Sequence, residues 1–251
     1  MTINDVTYLS VFPNTLSEKP NSDIDSIVKI CNYNDQLNFN SKYIYTCQHP
    51  SIDHKDVNVF KINELKLDGF TEYVVLNYPE MFNSEFMINF HCDGFIINPE
   101  SWDDDFLQYD YIGSPFDAGG LRKPCAGNGG FSLRSKKFCT LFRDMYLKIP
   151  SDYKKMPEDF LSCHVLRESL EQQGIRFAPF EVCSKFSTEH LSSDDKYFYS
   201  SFGIHEFEPI SKEEVEKRSL NVDLKYIAKN PDQVKTHRWS IHKKIFNGNE
   251  Y

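Results

Sequence analysis

One stretch decides the fold of this chain, and it reads FMINFHCDG from Phe86 to Gly94. Its first five residues predict a short apolar strand that stops at His91-Cys92-Asp93-Gly94. In open parallel sheets, ligands bind at the carboxyl ends of the strands. An acid at such a strand end, before a turn that glycine permits, is suited to hold a divalent cation or a ribose. Asp93 is also typical of an ordinary Asp-Gly turn, which needs no ligand.

The residues before Phe86 predict an α/β domain. Further strands are expected at Val6–Phe12, Lys42–Thr46 and Val57–Ile62, and helices at Asp23–Cys31 and Phe70–Leu76. Strands and helices that alternate through short connections are typical of a largely parallel mixed sheet flanked by helices. The sequence therefore predicts the α/β class.

The residues after Gly94 begin with a middle segment rich in glycine and proline. Two helices, Ser135–Leu147 and Glu158–Gln173, and a short strand, Ile175–Ala178, are expected to follow, with Gly174 ending the second helix. From about residue 211 the pattern changes to charged helical turns and a basic end. We therefore expect a single domain over residues 1–210 and a helical basic extension over residues 211–251.

Composition excludes several classes of protein. The 251 residues are 40% hydrophobic, which is enough for a core, and they carry a net charge of −9, which argues against unspecific binding of nucleic acid by the whole surface. Seven scattered cysteines without a C-x-x-C pair favour free thiols over disulfides or a zinc site. No apolar run approaches the ~20 residues of a membrane helix and no secretory signal is visible, so we expect a cytoplasmic protein.

The run Gly127–Ser135, GNGGFSLRS, is a candidate ligand-binding turn. Three glycines around Asn128 allow the backbone to approach a ligand closely, and the N-terminus of the predicted helix behind them favours anions. The run is neither a G-x-G-x-x-G motif nor a phosphate loop with Gly-Lys-Ser. A tight turn before a capped helix explains the same residues without a ligand.

Two acids, Glu158 and Asp159, stand at the start of a predicted helix. A paired acid supplies a general base that deprotonates a hydroxyl. Acids in a first helical turn also stabilise the helix against its dipole, by about 0.3–1 kcal/mol, which is the alternative explanation. His205 ends an apolar-aromatic turn, SFGIH, and is a further candidate, although a lone histidine is more often found in packing or at the surface.

Taken in order, these motifs resemble the DUF5672 family, once catalogued as a domain of unknown function and associated with glycosyltransferases of surface-polysaccharide gene clusters and of some viruses. The matching motifs include DGFIINP from Asp93, YDYIGSP from Tyr109, GNGGFSLRS from Gly127, the pair Glu158-Asp159, and FGIH ending at His205. The resemblance implies a divergent GT-A glycosyltransferase. Its nucleotide-sugar-binding half would span residues 1–98, and its acceptor-binding and catalytic half residues 99–210.

The resemblance also implies roles for single residues. Asp93 matches the second acid of an Asp-x-Asp motif that holds Mn²⁺ or Mg²⁺ on the donor diphosphate, while His91 stands at the place of the first acid. His205 matches a late histidine that several GT-A families bring to the same metal. Glu158 or Asp159 would be catalytic and face the acceptor hydroxyl. The nucleotide-sugar donor, expected to be a UDP-sugar, would be bound by Asp93, Gly94, Asn128, Gly129, Gly130 and Arg134.

The acceptor stays open among a glycan, a lipid-linked sugar, a protein and a hydroxylated DNA base, the last as a substrate of a viral DNA-modifying enzyme. Between Asn221 and Gly248, six Lys and Arg from Lys225 to Lys244 stand against two acids. This basic segment is either a solvated terminal helix or a contact for a polyanion, such as DNA phosphates or an anionic membrane face.

Two other functions also explain parts of the sequence. The first is a phosphate-handling hydrolase or nucleotidyltransferase, which needs a second acid near Asp93; the acids of Asp103–Asp105 are the ones on offer. The second is a non-catalytic sugar-nucleotide-binding module, in which the missing first acid of Asp-x-Asp records lost catalysis.

Overall fold

The structure is a computed structural model, and it describes residues 2–13, 23–33, 37–116, 125–189 and 200–205. The extension predicted over residues 211–251, with its basic segment from Lys225 to Lys244, lies outside the described residues. In the ranges given above, no helix has both the length and the apolar character needed to cross a membrane.

The described residues form an α/β structure. The strands are β1 Thr2–Phe12, β2 Asn38–Thr46, β3 Asn58–Lys61, β4 Phe86–Phe90, β5 Phe95–Ile96, β6 Tyr111–Gly113, β7 Pro115–Phe116, β8 Cys125–Ala126, β9 Phe131–Ser135, β10 Ser187–Thr188 and β11 Gly203–Ile204. The α-helices are α1 Ile24–Tyr33, α2 Leu67–Met81, α3 Lys136–Tyr146, α4 Glu158–Phe160, α5 Arg167–Gln172 and α6 Phe180–Phe186.

A six-stranded sheet with the order β3-β2-β1-β4-β9-β6 forms the centre of the fold. Strands β3, β2, β1 and β4 run parallel, whereas β9 is antiparallel to both of its neighbours. Parallel neighbours need a crossover connection, and α1 supplies it between β1 and β2. The predicted α/β class with a largely parallel mixed sheet is confirmed. Strands β6 and β9 lie beyond residue 98, so the sheet draws on both predicted halves.

Apolar patterning explains most of these elements. The strand predicted over Phe86–Phe90 has the bounds observed for β4, and its neighbour β1 contributes Val6, Leu9 and Val11 to the buried core. Helix α1 buries Ile24, Ile27 and Ile30, which lie on one face because their spacing is three residues. The core therefore follows the periodicities of the sequence.

The strand predicted over Ile175–Ala178 is wrong. Only Phe177 forms an isolated bridge there, to Tyr111, although Ile175 and Ala178 are buried. The side chain of Asp110 accepts the N–H of Arg176 at 2.8 Å and so replaces a backbone carbonyl as its partner. The apolar pattern correctly indicated burial, but a carboxylate took part of the hydrogen bonding that would extend a ladder.

The helix predicted over Glu158–Gln173 is interrupted. A π-helical segment, Leu161–Val165, separates α4 from α5, and the N–H of Leu166 bonds the carbonyl of Leu161 at 2.9 Å. Gly174 follows the end of α5 with a φ of 82°, the left-handed conformation in which glycine pays no side-chain penalty. The predicted glycine stop is confirmed.

The expectation that a helix N-terminus backs the glycine run is also wrong. Strand β9 lies between the glycines and α3, and it pairs antiparallel with β4, so that Phe131 is opposite Phe90 and Ser135 is opposite Phe86. The N-terminus of α3 therefore lies at the end of the sheet where β4 begins. The glycine run lies at the opposite end, where β4 ends, beside the turn that contains Asp93.

Candidate functional site

The candidate site is formed where β4 ends and β9 begins. Two turns meet at this edge: the turn after β4, in which His91 and Gly94 exchange backbone hydrogen bonds, and the turn of residues 127–130 before β9. Oδ1 of Asn128 accepts the N–H of Gly130 at 2.7 Å, and the backbone N–H of Asn128 donates to the carbonyl of Ser114 at 3.1 Å. The side chain of Asn128 thus closes its own turn and fixes the two glycines after it.

A three-stranded sheet with the order β10-β11-β5 brings three titratable side chains to one end. Strand β11 is antiparallel to β5, so His205, directly after β11, lies beside the start of β5 and Asp93. Strand β11 is parallel to β10, so Glu189, directly after β10, also lies beside His205. We call Asp93, Glu189 and His205 the histidine cluster.

The ring of His205 lies between the two acids of this cluster. Its Nε2 is 4.0 Å from Oδ1 of Asp93, and its Nδ1 is 3.5 Å from Oε2 of Glu189. All three side chains are buried. A Cβ at Gly94 would come within 2.8 Å of the ring carbon Cδ2, and one at Gly130 would overlap Nε2. The backbone of two candidate glycines therefore forms the wall against which the ring packs.

A second group, Arg134, Glu158 and Asp159, lies on the other side of the same turn, and we call it the arginine cluster. The side chain of Arg134 is only 1% exposed, and its guanidinium donates to Oε1 of Glu158 at 2.5 Å. The guanidinium also lies near the rings of Tyr78 and Tyr111, 5.2 and 5.3 Å from their centroids. A buried cation held by a carboxylate and two aromatic rings is fully enclosed by the protein.

The carboxyl group of Asp159 has a raised pKa. Its carboxylate accepts the N–H of Gly129 at 2.9 Å and that of Phe160 at 2.7 Å. Burial and the neighbouring charge of Glu158 raise the pKa of Asp159 to about 7, against the lowering effects of the two amides and of Arg134. A carboxyl group with a pKa near neutrality is able to exchange a proton at physiological pH.

Gly129 and Gly130 contact different clusters. Its carbonyl accepts Asn89 Nδ2 at 2.7 Å, Ser132 Oγ at 3.1 Å and Arg134 Nη2 at 3.2 Å. A Cβ at Gly129 would lie 2.5 Å from Oε1 of Glu158, whereas the Cβ of Gly130 would meet His205 instead. Two successive glycines are thus required by two different clusters.

The chain matches a known protein family. The family described as a protein of unknown function, DUF5672, matches residues 75–205, slightly more than half of the chain. The chain belongs to the DUF5672 family. The match begins within α2 and ends at His205, so it includes both clusters. No curated protein matches this DUF5672 chain.

Several solved structures are similar to the DUF5672 protein. A glycosyltransferase involved in the glycosylation of the major capsid of PBCV-1 is 13% identical, with 80% of this chain and 93% of that chain covered and a TM-score of 0.43. The apo-form glycosyltransferase GlyE of Streptococcus pneumoniae TIGR4 is 10% identical, with 84% and 55% covered and a TM-score of 0.44. TarS 1-349 of S. aureus is 13% identical, with 95% and 72% covered and a TM-score of 0.37.

The structure of the DUF5672 protein distributes the predicted site residues over the two clusters. Asp93, Gly94, Gly130 and His205 meet on one side of the turn, and Gly129, Arg134, Glu158 and Asp159 meet on the other; Asn128 lies within the turn. Arg134, predicted to bind the donor, is enclosed and bonded to Glu158. The acids of Asp103–Asp105 are exposed and serve their own short helix and Trp102.

Sequence reasoning missed two members of the site. Asn89 is a fully buried amide inside the apolar strand β4, and its Oδ1 accepts the hydroxyl of Tyr78 at 3.0 Å. A lone polar residue within an apolar strand indicates a buried hydrogen-bonded position, because buried amides need partners. Glu189 stands in one of the motifs that resemble the family, but only the pairing of β10 with β11 brings it to His205.

The histidine cluster contains donor atoms for a divalent cation. Among the residues that the structure describes, no group of three or more His, Cys, Asp or Glu side chains is arranged to hold a metal ion by itself. Asp93 Oδ1 and His205 Nε2, 4.0 Å apart, are nevertheless close enough for one cation to contact both. A carboxylate oxygen with an imidazole nitrogen fits a transition-metal cation such as Mn²⁺ better than Mg²⁺, with the other ligands supplied by phosphates and water.

Proposed function

We propose that this DUF5672 protein is a glycosyltransferase of the GT-A type that moves a sugar from a nucleotide-sugar donor, a UDP-sugar, to a hydroxyl acceptor. One observation carries the proposal: at the edge where β4 ends, a single glycine turn separates the Asp93 and His205 pair from Glu158 and Asp159. Glycosyl transfer needs these two kinds of group side by side, one for the leaving diphosphate and one for the acceptor proton. The ordered motifs that resemble the family support the same assignment.

Asp93 and His205 would hold Mn²⁺ or Mg²⁺ in this function. The cation, when bound, neutralises the charge that develops on the leaving nucleoside diphosphate. The backbone of Gly94 and Gly130 packs directly against His205, which leaves the ring little freedom to turn away from Asp93. These residues therefore orient the donor end of the site.

Asp159 is the general base that we assign. Glu158 is committed to Arg134 at 2.5 Å, whereas the pKa of Asp159 is raised to about 7, so Asp159 can accept a proton from an acceptor hydroxyl. Arg134 then acts by holding Glu158 and the carbonyl of Gly129, not by touching the donor. The hydroxyl group that Asp159 deprotonates would belong to a glycan, a lipid-linked sugar, a protein or a hydroxylated DNA base.

The test is a panel of UDP-, GDP- and TDP-sugars incubated with the protein and Mn²⁺, with donor hydrolysis measured by chromatography. We expect hydrolysis of a UDP-sugar that is lost with a chelator and in Asp93→Asn. Asp56→Asn, at an exposed acid away from the site, is the matched control and should keep full activity. Hydrolysis of no donor, or equal activity in Asp93→Asn and the control, would overturn the proposal.

A further inference from the structure

We infer that Glu189 is a positioning residue for His205: it sets the tautomer and orientation of the ring so that Nε2 faces Asp93 and a bound divalent cation. This inference rests on the cation site of the proposed function. It concerns a residue that has no assigned role, and it acts through His205 without touching the donor or the acceptor.

The small sheet places Glu189 at this position. Thr188 pairs with Ile204 in the parallel register of β10 and β11, so the next residues, Glu189 and His205, are neighbours at the same end. The N–H of His205 donates to the carbonyl of Thr188 at 3.0 Å, which fixes the main chain of the histidine next to β10. The approach of Glu189 to the ring is therefore built into the strand pairing.

The distances around the ring indicate the tautomer of His205. A neutral imidazole carries its proton on one nitrogen and accepts with the other. Oε2 of Glu189 is 3.5 Å from Nδ1, and this carboxylate favours the tautomer with the proton on Nδ1. The lone pair of Nε2 then points to the side of Asp93, 4.0 Å away. Metal-binding histidines commonly have a carboxylate on the nitrogen that does not bind the metal, and it orients the ring.

The contact with Glu189 favours the observed orientation of the ring. Gly94 and Gly130 are in contact with the Cδ2 and Nε2 edge of the imidazole so closely that neither position has room for a Cβ. A ring turned by half a revolution would bring Nδ1 to that wall and remove it from Glu189. Burial of both side chains keeps the Glu189 charge from being screened by water.

The first readout does not require activity. Long-range ¹H–¹⁵N spectra of ¹⁵N-histidine-labelled protein, recorded at alkaline pH where imidazole is neutral, report which nitrogen of His205 carries the proton. We expect the Nδ1–H tautomer in the wild type and a mixture in Glu189→Gln. Glu168→Gln, which changes an exposed acid on α5, is the matched control and should leave the spectrum unchanged.

The second readout is the affinity for Mn²⁺ in the presence of UDP, measured by titration with electron paramagnetic resonance detection of free Mn²⁺. Removing an orienting carboxylate should weaken binding by about 10–100-fold. Glu189→Asp keeps the charge and should recover part of the affinity, and thermal melting confirms that each variant is folded. If Glu189→Gln does not fold, the wild-type tautomer and the Glu189→Asp affinity still decide the inference.

The outcomes separate this inference from the proposed function. An Nε2–H tautomer in the wild type, or equal Mn²⁺ affinity and an unchanged tautomer in Glu189→Gln, would overturn the inference and leave the transferase proposal intact. Mn²⁺ binding that depends on Glu189 without hydrolysis of any donor would support the inference and overturn the proposed transfer. No Mn²⁺ binding by the wild type, even with UDP, would overturn both the inference and the cation site.

Discussion

The two clusters beside the glycine turn contain similar groups, but they are held in different ways. The arginine cluster is bonded at distances of 2.5 to 3.2 Å, through Glu158, Asp159 and the peptide of Gly129. In the histidine cluster the acids face the ring at the longer distances of 3.5 and 4.0 Å. The groups of the arginine cluster are therefore hydrogen-bonded to one another in the folded protein. The histidine cluster contains the Asp93 and His205 pair of the proposed cation site, so we expect changes there to affect binding more than stability.

The largest expected effect is on folding stability, from Arg134→Met. This change removes the buried cation that pairs with the partly buried carboxylate of Glu158, and breaking a buried pair costs about 3–5 kcal/mol. Urea unfolding should show this loss in the free energy of unfolding. The double variant with Glu158→Gln should recover part of it. A loss below about 1 kcal/mol, the range of surface pairs, would mean that the cluster does not depend on this bond.

Asp93→Asn should affect cation binding and donor hydrolysis more than folding stability. The substitution keeps the shape of a buried side chain but removes the charge toward His205, so the free energy of unfolding should change little. Mn²⁺ affinity and donor hydrolysis should fall by at least about 10–100-fold, as for the loss of groups that support a metal site. A large loss of stability with unchanged Mn²⁺ affinity would remove the distinction between the two clusters.

Two neighbouring alanine substitutions separate the clusters within one turn. Gly129→Ala places a Cβ 2.5 Å from Oε1 of Glu158, and should mainly reduce stability through the arginine cluster. Gly130→Ala forces the ring of His205 to move, and should mainly reduce Mn²⁺ affinity. Urea unfolding and Mn²⁺ titration of both variants check this. Identical profiles for the two variants would show that the turn responds as one unit.

The smallest expected effect is a pH dependence from Asp159. Because its pKa in the folded protein is raised to about 7, the folded state binds more protons than the unfolded chain, whose aspartates titrate near about 3.9. Stability should therefore decline as pH rises between these two values and level off above them. Asp159→Asn should remove this part of the decline in urea unfolding series. Parallel curves for the variant and the wild type would contradict it.

The same ionisation predicts the activity profile. The rate of sugar transfer from the donor should increase as pH passes about 7, where Asp159 becomes an ionised base. Glu158→Gln removes a neighbouring charge that raises this pKa, so the profile of that variant should shift to lower pH. A shift to higher pH would assign the base elsewhere.

Much of the fold was predictable because it depends on local patterns. Buried strands such as β4 show as apolar runs, and Gly174 marks a helix end because its φ is positive. The errors arose where tertiary contacts replaced local ones. Asp110 bonded the backbone of Arg176 where a strand was predicted, and the segment Phe131–Ser135 became a strand because β4 was available for pairing.

For the candidate site, too, local patterns showed some features and tertiary contacts decided the others. The sequence by itself determined the α/β class and the chemically informative residues: Asp93 at a strand end, the glycines of the turn, the pair Glu158-Asp159 and a late His205. Only the tertiary structure decided that these residues form two clusters, that Arg134 is enclosed, and that Glu189 joins His205. The physical reason is that tertiary packing brings together residues as far apart in sequence as Asp93 and His205, and no local pattern carries that information.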